Sequence, residues 1–422
     1  MSEYVHRTID ELLDTYQPHL PAIELYGAKG VGKTATAQQR VTTVVRLDSI
    51  TDAELLMADP QLIMDLPGPV LIDEWSRVPQ SWDLVRRAID DGAPNGRFLL
   101  NGSAKVPKGI SVHSGAGRIV RFRMRPMSLA ERGIQEPTVS LANILKGHTE
   151  VQGQSSFRLI DYVREIIASG FPGLRSYPPR MRNQLLTSYL DNLVQREFPE
   201  QGHLIRKPAV LKAWLTAYVA ATATTTSYNR ILDASTPGEH DKPAKTTTLA
   251  YRDTLAELWM LDSLDAWLPT RNRLERLTQA PKHYLADPGL ACRLLNLNEN
   301  TLIHGHDRSS LGEGTILGAL FEHLAVLSMR VYAQANEAQV YHFRTYRGEH
   351  EIDMIIESND GGIVAVEVKL SQSVNDKDIQ HIRWLRDRIG PDFIAGIVLT
   401  TGEHAYRRSD GIMVIPLALI TS

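Results

Sequence analysis

A glycine-rich run near the start of the chain has the residue types and the spacing that bind the phosphates of a nucleotide. The run comprises Gly27, Ala28, Lys29, Gly30, Val31, Gly32, Lys33 and Thr34. It fits the P-loop pattern G-x-x-x-x-G-K-[ST], in which glycines let backbone N–H groups approach phosphate oxygens closely. Lys33 is expected to reach the β- and γ-phosphates, and the Thr34 hydroxyl to bind Mg²⁺. The sequence therefore predicts ATP and Mg²⁺ as cofactors.

Two acidic residues follow the apolar run 69–72 downstream of this loop. Asp73 is expected to hold the Mg²⁺ shell beside Thr34, and Glu74 to polarise the water that attacks the γ-phosphate. An apolar strand that ends in two acids is also typical of an ordinary strand-to-loop edge. Downstream of a P-loop, the pair instead indicates that the nucleotide is hydrolysed.

Polar residues at the end of the next predicted strand and an arginine after a glycine segment are further candidates for this site. Asn101 or Ser103 is expected to contact the γ-phosphate or to align the water, and the sequence does not choose between them. A strand end that faces solvent is the alternative. Arg118 is placed as an arginine finger would be, which requires a dimer or a ring of copies. The alternative is a solvated basic strand.

A second group of chemically capable residues lies in the last quarter of the chain. Glu322 lies within a predicted apolar helix, Asp353 within a strand, and Glu367 and Lys369 within the strand 363–369. Charged side chains inside an apolar strand are costly to bury unless they have a function. Paired carboxylates beside a lysine can hold Mg²⁺ and activate a water against a phosphodiester. The alternative is a domain that binds its ligand without cutting it.

The middle of the chain predicts a winged helix, which consists of three helices and a basic hairpin. The third helix, over 246–258, and the hairpin tip are the expected contacts with DNA. The predicted DNA-binding residues are Lys245, Thr248, Arg252, Arg271 and Arg273. A winged helix that is used only for protein packing is the alternative.

The elements that must position these residues alternate between strands and helices, which predicts an α/β fold with a parallel sheet. The chain has 422 residues and a formal net charge of −3, so contact with nucleic acid would have to come from local basic patches. Its one cysteine, Cys292, excludes an internal disulfide. We find no signal-like N-terminus and no stretch long and apolar enough to span a bilayer, so we expect a cytoplasmic protein with no membrane contact.

The order of the motifs resembles that of a widespread prokaryotic family of AAA-type ATPases with a C-terminal domain of unknown function. After the P-loop, the resemblance rests on the runs 71–74, 98–103, 116–118 and 126–131, on Ser169-Gly170-Phe171-Pro172, and on 284–290. The family usually has a Gln shortly after the acidic pair, where this chain has Trp75-Ser76. Its strand-end residue is commonly Thr, where this chain has Asn101.

The order Glu322, Asp353, Glu367, Lys369 resembles that of the PD-(D/E)XK nuclease fold. The resemblance implies that Asp353 and Glu367 bind the metal, that Lys369 orients or activates water, and that Glu322 completes the metal shell or positions the fold. Both resemblances together divide the chain into four parts. They are an AAA-type ATPase domain (1–135), a linker and helical lid (136–203), a winged-helix-like domain (204–300) and a nuclease-like α/β domain (301–422).

The sequence thus predicts an ATP-dependent DNA-processing protein whose metal-dependent endonuclease-like domain acts on branched DNA, such as a recombination or repair intermediate. A homo-oligomer, possibly a ring, is expected. Two alternatives stay open. One is a regulatory ATPase switch with a non-cleaving nuclease fold, and the other is an antitoxin-like module that reads duplex DNA through the winged helix.

Overall fold

The computed structural model describes residues 4–103, 114–202, 207–236, 243–267, 280–304, 315–345 and 348–422. Three apolar cores are present within this part of the chain. The largest one runs from the N-terminal sheet through the helical middle to the C-terminal sheet. The N-terminal sheet, the helical middle and the C-terminal sheet therefore share one apolar core.

The N-terminal region is a five-stranded sheet in the order β2-β3-β4-β1-β5, and every neighbouring pair is parallel. Its strands are β1 (Ala22–Tyr26), β2 (Thr43–Arg46), β3 (Val70–Asp73), β4 (Phe98–Gly102) and β5 (Ile119–Arg123). The helices around it are α1 (Thr8–Tyr16), α2 (Lys33–Gln38), α3 (Ile50–Ala58), α4 (Leu62–Asp65) and α5 (Gln80–Asp90). β3 and β4 are buried along their whole length, as expected of parallel strands covered on both faces. The predicted α/β fold with a parallel sheet is confirmed.

The carboxyl ends of these strands meet at one edge of the sheet, which is where ligands bind in open α/β folds. β1 leads into the P-loop, β3 into Glu74, and β4 ends beside Ser103. Residues far apart in sequence are brought together there because the strands are parallel neighbours.

A helical region follows. It contains the short β6 (Val139–Ser140) and β7 (Gly153–Gln154) and the helices α6 (Leu141–Leu145), α7 (Leu159–Ala168), α8 (Pro172–Arg175), α9 (Pro179–Asn192) and α10 (Phe198–Glu200). Residues 193–197 form a π-helical turn that joins α9 to α10. The helix predicted over 180–198 is therefore interrupted near its end, and π-turns of this kind are frequent at functional sites.

The central region contains α11 (Pro208–Ala220), α12 (Tyr228–Ala234) and α13 (Lys245–Glu257), close to the three helices that the sequence predicts. The two predicted hairpin strands are isolated bridges, Leu261 to Leu285 and Leu264 to Lys282. Further along the same segment, Ala266 pairs with His342 of the C-terminal sheet. The predicted hairpin tip, including Arg271 and Arg273, lies outside the described residues.

The C-terminal region is a seven-stranded mixed sheet in the order β7-β12-β13-β11-β10-β9-β8. Its further strands are β8 (Gln339–Arg344), β9 (Glu351–Glu357), β10 (Ile363–Val368), β11 (Phe393–Thr400), β12 (His404–Arg407) and β13 (Met413–Pro416), while β14 (Ile420–Thr421) pairs with β6. The helices are α14 (Pro288–Leu294), α15 (Glu299–His304), α16 (Ile316–Ala335) and α17 (Gln380–Ile389). β7 comes from the helical region and forms one edge of this sheet, while β6, also from the helical region, forms a separate two-stranded sheet with β14.

Helix α16 is long and apolar enough by length and composition to cross a membrane, which corrects the expectation that no segment is. In the structure most of its residues are buried against the rest of the chain. An apolar helix at the centre of a large core has the same composition, because it is covered on all sides by other elements.

Candidate functional site

The P-loop depends on glycine at positions where any side chain would strain or block it. Gly27, Gly30 and Gly32 have φ angles of +153°, +83° and +105°, a region that other residues rarely adopt. A Cβ atom at Gly27 would lie 2.1 Å from the carbonyl oxygen of Met124 on the segment after β5. Backbone close packing therefore sets the shape of the loop.

Lys33 is almost fully buried at the base of this loop. Its Nζ donates to the carbonyl oxygens of Gly27, at 2.9 Å, and Ala28, at 3.0 Å. Burial lowers the pKa of Lys33 to about 8, and the nearby Glu74 and Asp73 oppose that shift. Carbonyl oxygens attract an ammonium less strongly than phosphate oxygens do, because a carbonyl oxygen carries only a partial negative charge and a phosphate is ionised. The site is thus built to exchange these carbonyls for an anion.

Asp73 lies beside the residue with which it is predicted to share Mg²⁺. Its Oδ1 accepts hydrogen bonds from Thr34 Oγ1 at 2.9 Å and from Asn101 Nδ2 at 3.0 Å. A hydroxyl and a carboxylate at this separation are a donor set that suits Mg²⁺, which prefers oxygen ligands. The residues therefore fit the predicted cation. Bound there, it would neutralise charge on the nucleotide phosphates.

Glu74 is held in a left-handed backbone conformation, with φ +53° and ψ +46°, directly after β3. The Ser103 hydroxyl lies 2.8 and 2.7 Å from its two carboxylate oxygens. Non-glycine residues in this conformation cost free energy and are concentrated at functional sites. Asn101 therefore contacts Asp73 and Ser103 contacts Glu74, while the choice between them for the γ-phosphate or the attacking water stays a prediction.

A buried pair behind the acidic residues was missed by the sequence analysis. Trp75, which stands near the family's usual Gln, donates from Nε1 to Glu24 Oε1 at 3.0 Å. Glu24 is buried within β1 and also forms an ion pair with Arg121 of β5. A glutamate in the middle of an apolar strand was the available signal.

The helical region reaches the P-loop from the other side. Tyr189 donates from its hydroxyl to the carbonyl oxygen of Lys29 at 3.0 Å, and Lys29 Nζ lies 3.9 Å from Glu197. Glu197 belongs to the π-helical turn, and burial raises its pKa. A cavity of about 150 Å³ lies between these groups and is also lined by Glu74 and Ser103. Helical residues thus border the space beside the hydrolytic carboxylate.

Arg118 forms a surface ion pair with Asp90 of α5 in the same chain. Its predicted role as an arginine finger concerns a second copy of the chain and stays a prediction.

The four predicted C-terminal residues come together around β9 and β10. Asp353 Oδ2 accepts from the backbone N–H of Val368 at 3.0 Å, and Lys369 Nζ donates to Glu367 Oε2 at 3.0 Å. Glu322 reaches the same place from α16 through a shared partner, which is described next. The predicted convergence of these side chains is therefore observed.

The shared partner is Lys282, which the sequence analysis did not single out. Its Nζ lies 3.0 Å from Glu322 Oε1, 3.0 Å from Asp353 Oδ1 and 3.2 Å from Glu351 Oε1. Tyr284 donates to the same oxygen of Glu322 at 2.6 Å. Burial acts to lower the pKa of Lys282, but the carboxylates of Glu322 and Asp353 outweigh it and raise that pKa well above its usual value.

The predicted metal roles of Glu322, Asp353 and Glu367 do not fit this geometry. Within the described ranges, no group of three or more His, Cys, Asp or Glu side chains is arranged to hold a metal ion. The Lys282 ammonium bridges two of the carboxylates instead. With Lys282 in this place, the structure gives no support to the metal-ligand roles of these three residues or to the catalytic roles of Asp353, Glu367 and Lys369 through that metal, and they stay predictions.

The predicted DNA contacts of the central region are also only partly retained. Thr248 is buried and its hydroxyl bonds to the carbonyl oxygen of Lys245, so it does not face a groove of DNA. Arg252 is half-buried, pairs with Asp253 and lies over the ring of Tyr228. Lys245 is exposed and keeps its predicted freedom to contact a phosphate.

Comparison with known families identifies the class of the N-terminal region. Residues 20–132 match the model of the family described as an AAA domain. With the geometry of the P-loop and of the acidic pair, this defines an AAA-type P-loop ATPase domain. Two further models, each described as a domain of unknown function (DUF8612 and DUF4143), match residues 159–301 and 317–420.

Two relatives align with nearly the whole chain at low identity. Uncharacterized proteins of Mycobacterium bovis and Mycobacterium tuberculosis are each 24% identical over 409 residues, which cover 94% of this chain and 80% of theirs. Among solved structures, a Walker-type ATPase of Pyrococcus abyssi aligns with 69% of this chain and 96% of its own at 15% identity and a TM-score of 0.40.

Proposed function

We propose that this protein is an ATP-hydrolysing switch whose nucleotide state controls a C-terminal domain that handles DNA. The proposal combines the ATPase domain with a C-terminal region that is physically connected to it. The observation that carries the proposal is one buried carboxylate, that of Asp262, which is shared by arginines from both ends of the molecule.

At the nucleotide, each residue has a role that follows from its contacts. Lys33 would hold the β- and γ-phosphates, and Thr34 and Asp73 would hold Mg²⁺. Glu74 would accept a proton from the attacking water, and Ser103 would keep its carboxylate oriented. Asn101 would fix Asp73, since it donates to that carboxylate from the neighbouring strand.

The connection to the C-terminal region begins at the backbone next to the P-loop. Met124 N–H donates to the carbonyl oxygen of Tyr26, the last residue before the loop, at 2.8 Å. On either side of Met124, Arg123 and Arg125 form ion pairs with Asp262 at 2.8 and 2.7 Å. A shift of the P-loop would therefore displace the arginines that are paired with Asp262.

The same carboxylate is paired with the C-terminal region. Arg330 of α16 lies 3.0 Å from Asp262 Oδ1. Burial alone would raise the pKa of Asp262, but the three arginines outweigh it and hold that pKa far below its usual range. A buried charge with several partners is costly to leave unpaired. A displacement of Arg123 and Arg125 would therefore be accompanied by a displacement of Arg330, which keeps the carboxylate of Asp262 paired.

The DNA-handling role rests on the C-terminal topology and on its converging polar residues. The elements α16, β8, β9, β10, α17 and β11 follow in the order expected for the PD-(D/E)XK nuclease fold. Asp353 on β9 and Glu367 on β10 lie together with Lys369, which directly follows β10. Folds of this kind host many functions, so the inference to DNA is an analogy that experiment must test. Branched DNA, such as a recombination or repair intermediate, is the proposed substrate class.

Metal-dependent cleavage of that DNA is the second candidate function. It is favoured by Glu367, which is buried and whose Oε1 has no hydrogen-bond partner among the described residues. An acceptor left unsatisfied in this way is often explained by an ion that is bound in another state. Cleavage would first require Lys282 to leave the carboxylates.

A second copy of the chain is part of the proposal for the ATPase. In a dimer or ring, Arg118 would exchange its surface partner Asp90 for the γ-phosphate of a neighbour. Sedimentation with and without ATP would test this. A purely monomeric protein in both conditions would contradict it.

The switch is tested by DNA binding in defined nucleotide states. Fluorescence anisotropy with labelled single-stranded, duplex, forked and four-way DNA would be measured without nucleotide, with ADP and with a non-hydrolysable ATP analogue. We expect a salt-dependent affinity that differs by at least about fivefold between nucleotide states, as in typical allosteric coupling. The Lys33→Ala variant should lose that difference. Equal affinities in all three states would contradict the switch, and the absence of binding to any DNA would contradict the proposed substrate.

A further inference from the structure

The C-terminal carboxylates have a cation that the chain itself supplies. Lys282 is nearly fully buried, and its three N–H donors match three acceptors, one each from Glu322, Glu351 and Asp353. This residue lies 40 positions before Glu322 and 71 before Asp353 in sequence. It enters the site from the central region rather than from the sheet that carries the carboxylates.

The charges of the site are already largely balanced. Four carboxylates are present, from Glu322, Glu351, Asp353 and Glu367. Opposite them are Lys282, Lys369 at 3.0 Å from Glu367, and Arg344 at 3.7 Å from Glu351. A divalent cation held by Glu322 and Asp353 would have to sit close to an ammonium that lies 3.0 Å from both. Like charges at that separation repel strongly where water is excluded.

We propose that the Lys282 ammonium takes the place of a divalent metal ion in the C-terminal carboxylate site. While the segment 280–286 is docked, the site holds no metal and the C-terminal domain does not cleave a phosphodiester. The lysine also pins the central region to the C-terminal sheet, since it connects the bridge at Leu264 with α16 and β9. This inference concerns the carboxylate site alone and does not depend on the ATP switch.

The backbone around Lys282 explains why the ammonium is held so firmly. Its N–H and carbonyl both pair with Leu264 at 2.9 Å, and Tyr284 accepts from the N–H of Asp262 through its carbonyl oxygen. Tyr284 also donates to Glu322, the carboxylate that Lys282 contacts. The lysine is therefore positioned by main-chain hydrogen bonds before any side-chain pairing, unlike a mobile surface lysine.

The test is metal binding by the full-length protein without nucleotide, measured by titration calorimetry with Mn²⁺ as the probe. Only the Mn²⁺ binding that Asp353→Asn removes is assigned to the C-terminal carboxylate site. This comparison distinguishes it from Mn²⁺ binding at the P-loop. We expect no such binding in the wild type. Lys282→Met should gain one Mn²⁺ per chain that Asp353→Asn abolishes, with affinity at least tenfold above that of the wild type. Lys282→Arg, which keeps a cation, should behave like the wild type.

Two results would overturn the proposal. One is that the wild type binds Mn²⁺ and Asp353→Asn abolishes this binding. This comparison requires no variant at Lys282. The other is a folded Lys282→Met protein with no such binding, which would make the lysine an ordinary structural ion pair. If Lys282→Met is too unstable to purify, Lys282→Gln takes its place, and a melting temperature that Mn²⁺ raises in this variant but not in the wild type supports the proposal. A melting temperature that Mn²⁺ leaves unchanged in both proteins overturns it. Lys212→Ala, a change at a surface ion pair, is the control for loss of a lysine.

Discussion

The two polar sites of the molecule use the same residue types in opposite ways. At the nucleotide site, Lys33 is held by backbone carbonyls, and the acidic pair is held by uncharged hydroxyl and amide groups. Near β9, the carboxylates are held by the ammonium groups of Lys282 and Lys369. The first site keeps its positive and its negative charges apart, whereas the second pairs them with each other.

This difference determines what each site can accept. Charges that are held by neutral partners remain available to an incoming ligand of opposite sign, because the ligand replaces weaker hydrogen bonds. Charges that are already paired in a buried position resist exchange, since breaking the pair leaves one partner uncompensated. Proximity of lysines and carboxylates is therefore insufficient evidence for a metal-dependent site, and the identity of each partner must be known.

The largest effect is expected at the nucleotide site. Lys33→Ala should lower ATP turnover by about 100- to 1,000-fold, the range found when one preorganised donor to a reacting centre is removed. Steady-state phosphate release measures this. Lys29→Ala is the matched control within the same loop, because the Lys29 side chain is exposed and its ion pair with Glu197 is long, at 3.9 Å. That control should change turnover by less than about fivefold. Equal losses in both variants would contradict the assignment of Lys33.

The next largest effect is expected where the two regions are joined. Asp262→Asn removes the buried charge that three partly buried arginines share, and it should lower the free energy of unfolding by about 3 kcal/mol. Urea denaturation measures this change. Asp265→Asn is the control, since Asp265 is exposed three residues further along the same segment, and it should stay within about 0.5 kcal/mol of the wild type. A cost below about 1 kcal/mol for Asp262→Asn would show that the shared carboxylate does not hold the regions together.

The nucleotide site was predictable from sequence because its chemistry is local or follows from strand order. Gly27 to Thr34 is one continuous run, and Asp73 and Asn101 end neighbouring strands of a parallel sheet, so their meeting at one edge is a topological necessity. The sequence could not assign Asn101 to Asp73 and Ser103 to Glu74. That assignment depends on side-chain directions at the strand ends rather than on spacing.

The sequence predicted which residues form the C-terminal site but not the chemistry of their pairing. Glu322, Asp353, Glu367 and Lys369 could be found because each interrupts an apolar element. Lys282 could not be associated with them, since it comes from a different region and no periodicity connects the two. The assignment of Thr248 to the DNA-contacting face could have been avoided from the sequence. Thr248 lies three residues before Tyr251 and seven residues before Leu255, so it shares their buried helix face.

A smaller effect is expected for the hydroxyl that orients Glu74. Ser103→Ala should lower kcat by about tenfold, or ~1.4 kcal/mol in the barrier, and leave KM for ATP nearly unchanged, because the residue positions a base and does not hold the nucleotide. Ser103→Thr should restore most of the rate. Ser76→Ala, which changes another serine in the same cavity, should have no effect on kcat. A change in KM alone would assign Ser103 to nucleotide binding instead.

The last effect concerns the stability of the folded protein at acidic pH, which should depend on buried histidines in the region around Lys282. His283, His323 and His342 are buried, and burial lowers the pKa of each, to about 3 for His342. Because the folded protein keeps His342 neutral, its contribution to stability is fully present above the unfolded pKa of about 6.5 and is lost as pH falls from there towards about 3. Between pH 7.5 and pH 5.5, this one histidine should cost roughly 1.4 kcal/mol.

Urea denaturation of His342→Gln at both pH values tests this, and the compared quantity is the loss of stability between them. The variant should lose about 1.4 kcal/mol less than the wild type over that interval, whatever its stability at pH 7.5. His404→Gln, at an exposed position of β12, should leave the loss unchanged. If His342→Gln also leaves it unchanged, the buried imidazole takes up a proton over the same pH range in the folded and the unfolded protein. The region around Lys282 would then already tolerate an additional positive charge, which would weaken the contrast between the two sites.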